Sequence, residues 1–205
     1  MLQLTLIRHG LTEWNSSGKF QGHSDIPLST QGQAQARALG KRLVKLGNAD
    51  LVYCSPLRRT VSTAQLALPG RELRLEPRLM ELNFGRFEGK TMAENQQDAA
   101  WAQWMAEPFY TATPGGESYA ELRRRAVAWL NELPDEGHVV AFTHSGTIQM
   151  LLSHCLGLEH PRWRKRLFLR PTSITRILAK EHEVIVERVN DARHLPNESG
   201  DPFDD

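Results

Sequence analysis

The sequence predicts an α/β fold of three layers, α/β/α, with a mostly parallel central sheet and a small cap insertion. Three short apolar runs carry that expectation: Leu4-Thr5-Leu6-Ile7, Leu51-Val52-Tyr53-Cys54 and Val139-Val140-Ala141-Phe142-Thr143. Runs of this length and composition suit strands buried on both faces of a parallel sheet. Each leads into a polar tip (Arg8-His9-Gly10, Ser55-Pro56-Leu57-Arg58, His144-Ser145-Gly146) and then into a helix-like stretch. Strands alternating with helices point to the three-layer architecture, and in such sheets ligands sit beyond the carboxyl ends of the strands.

The helices carry their own start and stop signals. Thr30 with Gln33 reads as a capping box, after which Ala36, Leu39, Leu43 and Leu46 recur at helical spacing until Gly47. Ser55-Pro56 reads as an N-cap followed by proline at the first helical position, with Leu57, Val61, Ala64 and Leu68 on one face. Ser145 to Leu156 reads as a third helix, stopped by Gly157. The rhythm breaks from about 88 to 121, where Trp101, Trp104, Phe109 and Tyr110 precede the turn-rich Thr113-Pro114-Gly115-Gly116. This stretch is expected to form a cap inserted into a single domain spanning 1–195. Residues 173–178 and 184–189 read as a β-hairpin. The last ten residues, 196–205, hold four acids and no base, and are expected to form a disordered acidic tail.

Composition narrows the function. Across 205 residues, 25 Lys and Arg face 24 Asp and Glu, a formal net charge of +1, so bulk electrostatic binding to nucleic acid is not expected. Cys54 and Cys155 match no metal or redox spacing and read as buried free thiols. The start of the chain lacks the features of a signal peptide, and no apolar run approaches the ~18 residues of a membrane span. A cytoplasmic protein without a membrane partner is expected. The histidines show no HExxH or comparable spacing, so no metal is expected. Gly85-Arg86-Phe87-Glu88-Gly89-Lys90-Thr91 imitates a phosphate loop, but its first glycine stands one residue too close to Gly89-Lys90-Thr91. Arg162, Arg164, Lys165 and Arg166 read as a solvated basic run.

The polar tips together suggest a guest. Arg58 in the first turn of a helix sits at an end unfavourable for a cation unless an anion binds there. Two histidines and two arginines at one sheet edge would repel one another without an anion, and a phosphoryl group fits.

These residues resemble a known family. Leu6-Ile7-Arg8-His9-Gly10-Leu11-Thr12-Glu13-Trp14-Asn15 is similar to the signature of the histidine phosphatase superfamily, also called phosphoglycerate-mutase-like. The resemblance continues in family order through Phe20-Gln21-Gly22, Asp25-Ile26-Pro27-Leu28-Ser29, Ser55-Pro56-Leu57-Arg58-Arg59-Thr60 and Glu81-Leu82-Asn83-Phe84-Gly85. It ends with Gly115-Gly116-Glu117-Ser118, Thr143-His144-Ser145-Gly146 and Asn190-Asp191-Ala192-Arg193-His194-Leu195.

The resemblance implies a phosphoglycerate-mutase-like fold and a catalytic set of His9, Glu81, His144, Arg8 and Arg58. His9 would be the nucleophile, its second nitrogen keeping a proton by donating to a nearby carbonyl. Arg8 and Arg58 would clamp the phosphoryl oxygens, and His144 would donate to the charge developing at phosphorus. Asn15, Gln21, Gly22, Ser145 and Gly146 would complete the phosphate contacts. Glu81 would protonate the leaving oxygen and later activate water, which requires a carboxyl that holds its proton near neutrality. The implied reaction is metal-independent and cofactor-free hydrolysis of a small phosphorylated metabolite through a phosphohistidine. The phosphatase branch is favoured over the mutase branch by the stretch from Glu81 to Gly89 and by Gly115-Gly116-Glu117-Ser118. A non-catalytic, phospho-ligand-binding member would be expected to lack His9 or Glu81, and both are present. Trp101 and Trp104 share a helix face and read first as packing residues; with Phe109, Tyr110 and Glu117 they are also the candidate substrate-lining residues. The sequence leaves a homo-oligomer open.

Overall fold

The computed structural model describes residues 1–158, 167–180 and 183–196. In chain order the elements are β1 (Leu2–Arg8), α1 (Glu13–Ser16), α2 (Thr30–Leu43), β2 (Leu51–Cys54), α3 (Arg58–Ala67), β3 (Arg74–Leu75), α4 (Met92–Asn95), α5 (Ala99–Ala106), α6 (Tyr119–Leu130), β4 (Gly137–Thr143), α7 (Ser145–Cys155), β5 (Ile174–Lys180) and β6 (Glu183–Asp191). The strands form one sheet in the order β3-β2-β4-β1-β5-β6. Its first four strands are parallel, and β5 and β6 close the sheet as an antiparallel hairpin.

Register sets the site. Arg8 lies opposite Thr143, and Cys54 opposite Phe142, so β1, β4 and β2 end level with one another. The polar residues that follow each strand therefore meet at one edge. Behind them the strands alternate between two cores. Leu4, Leu6 and Val139 face Trp129 of α6 and Ile148 and Leu151 of α7. Ile7, Val52 and Phe142 face Leu39 and Leu43 of α2 and Ala64 of α3. Each fully buried large aliphatic or aromatic side chain contributes about 1.5–3 kcal/mol, which anchors both helical layers to the sheet.

Several local expectations shift. Ser29, not Thr30, caps α2, its Oγ accepting from the Gly32 N–H at 3.1 Å. Helix α3 begins at Arg58 with no cap from the preceding residue, Leu57; the Asp25 carboxylate accepts from the first helical N–H instead. The Ser55 hydroxyl that was expected there is bonded to His144 instead, at 2.8 Å. A helix absent from the sequence reading, α6, opens on a reciprocal capping box between Ser118 and Glu121; the Ser-x-x-Glu signal was present in the sequence. Cys54 is buried, and burial pushes its thiol up to about 12, whereas Cys155 is only partly buried.

Between 88 and 121, α4 and α5 surround an aromatic cluster of Phe20, Phe84, Phe87, Trp101 and Trp104. Edge-on contacts such as Phe20–Trp101 and Phe87–Trp101, both 5.2 Å between ring centres, hold it together. The basic run Arg162, Arg164, Lys165 and Arg166 lies outside the described residues, as does the predicted tail beyond Pro196. Among the described residues no helix is long and apolar enough to cross a membrane.

Candidate active site

His9 follows the last residue of β1 and is 3% exposed. Its Nδ1 lies 2.7 Å from the Gly10 carbonyl oxygen. A carbonyl only accepts, so Nδ1 holds the proton and Nε2 keeps its lone pair. Burial, followed by the charges of Arg59 and Arg8, drives the imidazole pKa well below its usual value, so the ring is neutral. The main chain is fixed as well: the His9 N–H donates to Thr143 O at 3.0 Å and its carbonyl accepts from the Thr172 N–H at 3.2 Å.

Arg8, on β1, donates from Nη1 to the Leu169 carbonyl, while its buried Nε has no acceptor among the described residues. Burial lowers its guanidinium to about 10, partly offset by Glu81, which leaves it cationic near neutrality.

The second arginine is a correction. Arg58 was expected at the site, but its side chain is exposed, and its backbone N–H donates to Asp25 at 2.7 Å. Arg59 is fully buried instead. Its Nε donates to His144 Nδ1 at 3.3 Å, Nη1 to Ser24 O at 2.9 Å and Nη2 to Gly22 O at 2.6 Å. Consecutive residues on a helix point about 100° apart, and in α3 it is Arg59 and Thr60 that face the sheet edge while Arg58 faces outward. Arg59 shares the buried face of α3 with Thr63 and Ala67, at spacings of four and eight. That spacing was the signal that could have identified it. Burial lowers Arg59 to about 10 against the raising effects of Glu81, Glu88 and Asp25.

His144 precedes α7, with its ring centre 5.2 Å from that of His9. It was expected to donate to a phosphoryl group, but both its nitrogens are engaged within the protein. Nδ1 accepts from Arg59, so Nε2 carries the proton and faces Ser55 Oγ at 2.8 Å and Thr60 Oγ1 at 3.3 Å. Burial and the Arg59 charge press its pKa far down, so the ring is neutral. Hydroxyls donate as readily as they accept, so Ser55 and Thr60 can satisfy Nε2 in either tautomer.

Glu81 is 8% exposed and sits in a loop with no helical or strand pairing. Its Oε1 accepts from the Leu82 N–H at 2.8 Å and its Oε2 from the Gly146 N–H at 3.0 Å. The Gly146 amide therefore holds this carboxyl, a second correction to the expected phosphate contacts. A Cβ at residue 146 would collide with Glu81 Oε1, which explains the glycine.

The remaining predicted contacts divide. Asn15 Oδ1 is taken by Thr12 in the capping box of α1. Gln21 Oε1 accepts from Thr12 Oγ1 at 2.9 Å, and its buried Nε2 has no partner among the described residues. Gly22 offers its carbonyl to Arg59. Buried donors without acceptors are costly, so the orphans on Arg8 and Gln21 mark places where an acceptor-rich anion would be welcome. Of the candidate lining residues, Trp101 and Trp104 are buried packing groups, as their shared helix face suggests, and form no substrate-facing wall. Phe109 lines an outer groove beside Arg123 and Arg124, Tyr110 is 72% exposed, and Glu117 is locked against Arg125.

A family model, histidine phosphatase superfamily (branch 1), matches residues 4–192. The chain belongs to this superfamily. Among curated relatives, the probable phosphoglycerate mutase GpmB of Salmonella paratyphi C is 35% identical over 208 residues, with 95% of each chain covered. Among solved structures, phosphoserine phosphatase from Entamoeba histolytica, in complex with 3-phosphoglyceric acid, is 30% identical with a TM-score of 0.86. It covers 96% of this chain and 100% of its own. An α-ribazole-5′-P phosphatase from Escherichia coli, described as putative, is 26% identical with a TM-score of 0.85, covering 93% and 97%. The superfamily thus brings both phosphatase and mutase names to this fold.

Proposed function

We propose that the protein is a metal-independent phosphatase that hydrolyses small phosphomonoesters through a phosphohistidine at His9. The observation that carries this reading is the Nδ1–Gly10 carbonyl bond, which leaves a neutral Nε2 lone pair among guanidinium groups. Nε2 attacks phosphorus and forms the N–P bond while the P–O bond to the alcohol breaks. Glu81 passes its proton to the leaving oxygen. In the second half, the Glu81 carboxylate takes a proton from water, the oxygen bonds to phosphorus and the N–P bond breaks, releasing orthophosphate. Arg8 and Arg59 neutralise the transferring group, the task that Mg²⁺ performs in many phosphoryl-transfer enzymes. The phosphatase names among the solved relatives support hydrolysis over transfer.

Phosphate release from 4-nitrophenyl phosphate tests the reading. His9→Ala should lower kcat/KM by about 10⁴-fold or more, and equal release by the two proteins would remove the nucleophile. Activity should survive an excess of chelator, and loss that Mg²⁺ restores would contradict metal independence. The name of the Salmonella relative favours a second reading, phosphoryl transfer between the hydroxyls of phosphoglycerate. Incubation with 3-phosphoglycerate separates the two: a phosphatase yields orthophosphate, a mutase yields the positional isomer.

A further inference from the structure

Arg125 of α6 has a guanidinium with five N–H groups, and all five find an acceptor. Nη1 donates to the carbonyls of Arg78 and Met80, both at 2.7 Å. Nη2 donates to the Glu81 carbonyl at 2.8 Å and to Glu117 Oε1 at 2.6 Å, and Nε to Glu117 Oε2 at 3.1 Å. Glu117 then reaches the far side of Glu81. Its Oε1 accepts from the Asn83 N–H at 2.9 Å, and its own N–H donates to Asn83 O at 3.0 Å. The Glu81 main chain is thus gripped at residues 78, 80 and 81 from one side and at residue 83 from the other. No sheet or helix ladder runs through residues 80–84, so side-chain bonds supply the rigidity that secondary structure gives His9: those of Arg125 and Glu117, joined by Thr147 on the Met80 carbonyl, His23 on the Glu81 carbonyl and Thr113 on the Asn83 carbonyl. A forked, fully used guanidinium is a geometric device, and no other side chain supplies five donors in one plane.

We propose that Arg125 and Glu117 form a positioning clamp for the Glu81 carboxyl and thereby set reactivity toward esters whose leaving alcohol needs a proton. The inference rests on the reading of Glu81 as the acid. A phenolate such as 4-nitrophenolate departs without protonation, whereas an alkoxide does not. Misplacing the acid therefore penalises alkyl esters selectively.

The experiment compares kcat/KM for n-butyl phosphate and 4-nitrophenyl phosphate in the native protein, Arg125→Gln, Glu117→Gln and Glu81→Gln. The alkyl-to-aryl ratio does not depend on the fraction of molecules folded, because both esters report on the same active population. Arg125→Gln should lower that ratio by about 10–100-fold, with Glu117→Gln moving it the same way by less. If Arg125→Gln yields no soluble protein, Glu117→Gln decides by the same ratio. A clamp variant whose ratio stays within about twofold of native, while Glu81→Gln shifts it, overturns the clamp. A ratio unmoved by Glu81→Gln removes the acid assignment, and the clamp falls with it.

Discussion

The two walls of the site are built in different ways. His9 and Arg8 belong to the end of β1, and the backbone of His9 is tied to β4 through Thr143 and to the 172 turn. Glu81 lies on an unpaired loop, near enough to Arg8 and Arg59 for its charge to act on both. It is placed by side chains from α6, from the Gly115-Gly116-Glu117 turn and from the 22–24 segment, where His23 Nε2 donates to the Glu81 carbonyl at 3.0 Å. Glu88 secures that last segment by accepting from the His23 and Ser24 N–H groups at 2.9 and 2.7 Å. The nucleophile wall is rigid because a sheet makes it so, and the acid wall because arginine and glutamate side chains do. Under the proposed roles, α6 would tune the response to the leaving group without disturbing the His9 imidazole.

The largest way to break the nucleophile wall, after removal of His9, is to remove its anion clamp. Arg59→Ala should cost about 10²–10³-fold in kcat/KM, whereas Arg58→Ala should stay within about threefold, since only the first is buried against His144. Equal losses at the two positions would put the clamp elsewhere. The acid wall is broken by Glu81→Gln, expected to cost about 10²-fold or more on an alkyl ester and far less on 4-nitrophenyl phosphate. A uniform loss on both esters would show that the two walls do not divide the chemistry.

A pH profile sharpens the comparison with the smallest effect. The pKa of His9 lies well below the ordinary 6.5, so the neutral, nucleophilic form persists as pH falls through that value. The ascending limb of kcat/KM should therefore lie clearly below pH 6.5 and disappear only where the ring finally takes up a proton. A limb centred at 6.5 or above would indicate an imidazole exposed to water.

The same division explains what could be read from the sequence. The three strands and the terminal hairpin were legible because apolar runs are local signals, and so was the meeting of Arg8, His9 and His144 at one sheet edge. Glu81, on an unpaired loop, was reached only through the family resemblance. Helix positions one residue apart were not resolved by motif alone. Arg58 and Arg59 are adjacent in the chain, and only the periodicity through Thr63 and Ala67 separates them. Ser55 was misread for a related reason: a serine before proline satisfies an N-cap as readily as it satisfies a histidine 89 residues away. The Arg125 contacts carried no local signal, since three of their five acceptors are main-chain carbonyls that any residue would provide. Trp101 and Trp104 turned inward because Phe20, Phe84 and Phe87, scattered in sequence, gather to meet them.

The carbonyl of Gly10 has a regiochemical consequence. With Nδ1 committed to that oxygen, only the nitrogen remote from the ring's attachment point can accept phosphorus. The covalent species on the reaction path would then be the tele isomer, N-phosphorylated at the outer position. A pros isomer would require the imidazole to flip and give up its hydrogen bond to Gly10.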